Sequence, residues 1–79
     1  MDTVKYLQHR YVFKNWELVY KEKLEHETTE YFNCTFNNEE LELKVWSDNI
    51  GHWTTFKVYK RLKGNKEWNY FETFEKYID

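Results

Sequence analysis

A chain of 79 residues and 10.0 kDa can support one hydrophobic core but not two, because a domain of this size hides only about 60 to 65 % of the surface its unfolded form exposes. The net charge of −2 gives no overall basic field of the kind dedicated nucleic-acid binders carry, and Cys34, the only cysteine, excludes an intramolecular disulfide. Aromatic mass takes the place of a staple: six Phe, seven Tyr and four Trp are present, and each buried ring removes on the order of 150 to 250 Å² from water.

The first 27 residues admit two structures. As a helix, residues 16–24 place Trp16, Val19, Tyr20 and Leu24 on one face, with Glu17 and Lys21 as an i,i+4 pair. As a hairpin turning at Lys14-Asn15, the segment aligns His9, Tyr11, Phe13, Trp16, Leu18 and Tyr20. The absence of alanine and the supply of Tyr, Trp, Val and Phe favour strands.

Residues 30–46 carry the clearest local signal. Asn37-Asn38 separates two alternating runs, and Asn tolerates the positive φ of a two-residue hairpin turn. Phe36, Cys34 and Phe32 then oppose Glu39, Leu41 and Leu43 on a core face. Thr35, Asn33 and Tyr31 oppose Glu40, Glu42 and Lys44 on a wet one. Ser47-Asp48-Asn49-Ile50-Gly51 reads as the turn-rich join to a second hairpin. That hairpin turns at Gly64-Asn65, pairing Val58 with Phe71 and Phe56 with Thr73 on one face, and Arg61 with Trp68, Tyr59 with Tyr70 and Lys57 with Glu72 on the other. Residues 73–79 are expected to close with a helical turn capped by Thr73.

The chain therefore predicts a single domain over residues 1–79. It is mainly β, or β-rich α+β, with an antiparallel meander of four to six strands. Four of them lie within residues 29–72, and the N-terminal segment forms either a further hairpin or a helix packed on the sheet.

No catalytic, cofactor or metal constellation emerges, and the expectation is a non-enzyme. His9, His26, His52 and Cys34 lack the spacing of a coordination shell. Cys34 alternates with Phe32 and Phe36, as a buried small hydrophobe does. Ser47, Asp48 and His52 superficially mimic a hydrolase group, but Ser and Asp belong in a turn for backbone bonding. The acidic stretches around Glu22 to Glu30 and Glu39 to Glu42 read as solvated edges.

What remains is a surface. Lys57, Lys60, Arg61, Lys63 and Lys66 form a positive run with no carboxylate among them, and Trp53, Lys57, Tyr59, Arg61, Trp68 and Tyr70 are expected on one hairpin face. Such residues anchor protein interfaces, and they also offer single-stranded nucleic acid a stacking platform. If the sheet curls, or if the N-terminal segment crosses this face, the same rings become a second core layer.

The leading expectation is a small protein-binding module that blocks a larger bacterial protein by occupying its surface, in the manner of an inhibitor or regulator. The alternative is a single-stranded nucleic-acid-binding domain. Depletion of Ala, Pro, Gly and Arg resembles the codon bias of an AT-rich genome, such as that of a low-GC bacterium or its phage. Met1 to Lys5 shows no basic leader before an apolar run, and no stretch reaches membrane-spanning length, so a cytoplasmic protein without membrane contact is expected. Exposed sheet edges leave monomer and homodimer both open.

Overall fold

The computed structural model describes residues 3–77, which form one helix and five strands in a single antiparallel meander of order β1-β2-β3-β4-β5. The elements are α1 (Thr3–Arg10), β1 (Lys14–Leu24), β2 (Glu27–Phe36), β3 (Glu39–Ile50), β4 (Trp53–Leu62) and β5 (Asn69–Tyr77). No helix among the described residues is long and apolar enough to cross a membrane.

The N-terminal segment does pack a helix on the sheet and adds a strand to it, but over other residues than expected. Residues 3–10 are helical, not the first strand of a hairpin. Thr3, Val4, Leu7 and Tyr11 recur every three to four residues and turn one stripe to the sheet; Thr3 and Leu7 are buried. His9 and Arg10 in the last turn suit the negative end of the helix dipole, and the Tyr11 amide donates to the Leu7 carbonyl at 2.8 Å. His9 points away from the core and is exposed.

Residues 16–24 are strand, as the bulk of β-branched and aromatic side chains favours, and the helix considered there does not form. The turn signal at Lys14-Asn15 is real in its backbone but is used differently: Asn15 has φ 57° and creates an irregularity inside β1. The β1–β2 reversal instead occurs at Glu25-His26, with Glu25 at φ 34°, a conformation that neither residue advertises.

The β2–β3 hairpin has the expected register at all six pairs, with Asn37 and Asn38 at φ 51° and 65°. β3 then runs on to Ile50 and turns at Gly51-His52, so the polar stretch 47–50 is strand and not a join. β-sheet pairing explains this: each of Ser47 to Asn49 has a partner on β4.

The last hairpin departs in two ways. Its connection spans residues 63–68, wider than a two-residue turn, although Gly64 does take positive φ at 96°. A bulge at Val58/Tyr59 keeps Tyr59 opposite Tyr70 but moves Val58 to Glu72, Lys57 to Thr73 and Phe56 to Phe74. One inserted residue thus brings Phe74, not Thr73, onto the core face, where its ring stacks on Phe56 at 4.9 Å. Residues 73–77 extend β5 and do not form a helical turn; residues 78–79 lie outside the described part.

The core lies between α1 and one sheet face. Leu7, Phe32, Cys34, Leu43, Val45, Phe56 and Val58 are buried together, flanked by Tyr11, Phe13, Trp16 and Phe71. Burial pushes the Cys34 thiol up to about 11, which keeps it neutral and inert. β2, the strand centred on Cys34, is interior, and β1 and β5 are the edges.

A clasp holds the end of the helix to the sheet. The Arg10 guanidinium and the Tyr11 hydroxyl both donate to Glu72 Oε1 on β5, each at 2.5 Å. Glu72 consequently titrates below the ordinary carboxylate range, held down first by Arg10 and then by Tyr11.

Candidate interaction face

Because α1 and residues 11–13 cover one side of the sheet, the other side has no covering element of this chain. Alternation decides what stands there. The central cross-strand row is Tyr20, Tyr31, Lys44, Tyr59 and Tyr70, one residue from each of the five strands. Tyr20 and Tyr31 lie 5.9 Å apart, Tyr59 and Tyr70 meet edge to face at 5.8 Å, and the Lys44 ammonium sits 5.6 Å over the Tyr59 ring.

Flanking rows repeat the theme. Arg61 stacks on Trp68 at 3.9 Å while its Nε donates to Glu42 at 3.2 Å, and Trp68 reaches back to Tyr31 at 6.1 Å. Lys57 lies 5.2 Å over Trp46, whose indole donates to Glu27 at 3.0 Å. At the far end Trp53 packs edge to face on Tyr77 at 5.2 Å. All three cations set in the middle of this face therefore rest on rings, where stacking adds to their hydration.

Carboxylates form the surround: Glu17 and Glu22 on β1, Glu27 on β2, Glu40, Glu42 and Asp48 on β3, and Glu75 on β5. Against them stand Lys44, Lys57, Arg61, Lys63 on Glu40 and, at the start of β1, Lys14, five cations to seven carboxylates. Asp48 bonds the exposed His26 ring and raises its pKa. The face is aromatic at its centre and net acidic at its rim.

The six residues singled out in the sequence, Trp53, Lys57, Tyr59, Arg61, Trp68 and Tyr70, do share this face. Trp53 and Tyr70 remain 52 % and 61 % exposed, whereas Tyr59 and Trp68 are half-buried by their neighbours on the same face. The N-terminal segment crosses the opposite side, so these rings are not sealed into a second core layer. Tyr20, Tyr31, Lys44 and Trp46 went unrecognised as part of the site. For Lys44 and Trp46 the signal lies in the β3–β4 pairing around Gly51-His52, which sets Lys44 beside Tyr59 and Trp46 beside Lys57; Tyr31 follows from its pairing with Lys44, and Tyr20 from the β1–β2 register.

The five-cation run, by contrast, is dispersed. Lys57 and Arg61 stand on this face, Lys60 points to the helix side over Phe71, and Lys63 and Lys66 lie in the connection. Arg61 and Lys63 are paired to Glu42 and Glu40. Ser47, Asp48 and His52 do not converge either: Ser47 is buried on the core side donating to the Thr28 carbonyl, Asp48 faces the other way, and His52 rests against Tyr77. Among the described residues no group of three or more His, Cys, Asp or Glu is placed to hold a metal ion.

Comparison with protein-family models, with curated proteins and with solved structures finds no match to this chain.

Proposed function

We propose that this chain is a small protein-binding module whose uncovered sheet face docks on a basic surface of a larger protein. One observation carries the reading: a row of four tyrosines and a lysine crosses all five strands on a side that the chain itself leaves open. Tyr and Trp supply large contact areas at low entropic cost, and they are the usual anchors at the centre of an interface. The acidic rim supports a partner with a basic periphery, since complementary charge speeds association and fixes orientation.

Proteins that grip nucleic acid present such basic surfaces, so the proposed action is to occupy and block one. Small size and an amino-acid composition poor in residues with GC-rich codons support an origin in a phage or other mobile element. Dispersal of the basic run favours a protein partner over single-stranded nucleic acid, because only Lys57 and Arg61 of the five stand on the aromatic face.

The test is capture of a partner from bacterial lysate by the tagged chain, followed by displacement with duplex DNA. Retention of one protein in stoichiometric amount, released by DNA that the chain itself does not bind, supports the reading. Direct binding of single-stranded DNA, falling steeply with salt, would instead establish the nucleic-acid alternative.

A further inference from the structure

A second apolar surface lies on the helix side of the sheet, opposite the aromatic face. A groove of about 700 Å³ runs between residues 11–13 and the tips of the β2–β3 and β4–β5 hairpins, floored by Phe13, Leu41 and Phe71. Exposed apolar side chains gather on its lips: Val12 is 74 %, Leu62 46 % and Phe36 40 % exposed. Both walls are fixed. The clasp of Arg10 and Tyr11 on Glu72 holds one, and the Asn37-Asn38 turn holds the other.

Within this apolar lining sits Lys60, its ammonium 4.2 Å over the Phe71 ring, and it enters no ion pair with a described residue. Arg10 and Arg61 also border the groove but are committed to Glu72 and Glu42. Glu39 is the one carboxylate of the lining, and Lys60 is the one cation of the lining without a carboxylate partner among the described residues. An ammonium held over an aromatic ring and bordered by apolar side chains is well matched by an anion whose remaining surface is apolar. The volume falls within the roughly 300 to 1,000 Å³ of small-ligand sites.

We propose that this groove binds a small amphipathic carboxylate, a medium-chain alkyl or aryl acid whose carboxylate pairs with Lys60 and whose tail lies along Phe13, Phe36 and Phe71. Octanoate titrated into the isotope-labelled chain, with 1-octanol as the uncharged control, tests it by amide chemical shifts. Octanoate is expected to saturate with Kd on the order of 0.1 to 1 mM, moving residues 12–13, 36–41, 60–62 and 71. Lys60→Met should weaken octanoate about tenfold while leaving octanol unchanged. Phe36→Ala, at an exposed tip, should weaken both. Equal binding of octanoate and octanol, indifference of octanoate to Lys60→Met in a folded variant, shifts confined to the Tyr20–Tyr70 row, or no saturation would each overturn the proposal.

Discussion

Arg61 and Trp68 are stacked at 3.9 Å, and the same guanidinium is tied to Glu42 on the neighbouring strand. The contact fastens the start of β5 and the connection before it across the open face. Arg61→Ala should cost about 1 kcal/mol and accelerate amide exchange in residues 63–69, because it removes both a cation–π contact and a half-buried ion pair. Chemical denaturation and hydrogen exchange measure the two effects. Arg61→Lys should recover only part of the loss, since an ammonium cannot stack and bond Glu42 in the same geometry.

Leu7 is the helix's main anchor, with no exposed surface and a place in the buried cluster beside Phe32, Val45 and Phe56. Leu7→Ala is expected to cost about 2 to 5 kcal/mol, most of what a core of this size supplies, and to leave the chain largely unfolded at 37 °C. Leu18→Ala, at a site 47 % exposed on the edge strand, should cost less than about 1 kcal/mol. Urea unfolding of the two variants compares them directly.

The clasp at Glu72 makes stability fall on the acid side. Its folded pKa lies below 4.5, so the carboxylate's contribution is complete above that value and is lost as pH drops through the folded pKa. Glu72→Gln should flatten this acid limb of the stability profile. Tyr11→Phe removes one donor and is expected to cost about 1 to 2 kcal/mol at neutral pH.

His26 titrates in the opposite sense. The Asp48 carboxylate raises its folded pKa above 6.5, so whatever the pair contributes is complete below 6.5 and is lost as pH rises through the folded value. An NMR titration of the imidazole should return a pKa above 6.5 in the native chain and a lower one in Asp48→Asn.

How far this fold is legible in the sequence depends on where turn chemistry is explicit. Asn37-Asn38 declares both the turn and its register, because two adjacent residues tolerant of positive φ leave little choice of pairing. Glu25-His26 declares nothing, since Glu rarely takes positive φ, and the β1–β2 hairpin stayed hidden behind it. Asn15 misled for the converse reason: its positive φ serves a strand irregularity that looks identical in sequence to a hairpin turn. Thr3, Val4, Leu7 and Tyr11 did carry a helical period, but the alternation of His9, Tyr11 and Phe13 competed with it over the same residues. The bulge at Val58/Tyr59 left no mark, yet it decides whether Thr73 or Phe74 enters the core.

The candidate face was half legible for a related reason. Alternation along β4 places Trp53, Lys57, Tyr59 and Arg61 together whatever the neighbours do. Adding Tyr31, Lys44 and Trp46 requires the β3–β4 register. Adding Tyr20 requires β1 to be a strand with its bulges in the right places.

The claim that the open face is the interaction surface is tested most directly by measuring the affinity of a captured partner for the double variant Tyr20→Ser, Tyr70→Ser. Both rings are more than half exposed, at 56 % and 61 %, so the fold should survive, with a denaturation midpoint lowered only by the lost ring contacts to Tyr31 and Tyr59 and the Tyr70–Thr73 hydrogen bond. Loss of affinity by about 30-fold or more is the expected result, as two anchors of a central aromatic row are removed. Binding within about twofold of the wild type, by a variant that remains folded, would contradict the account and move the interface off this face.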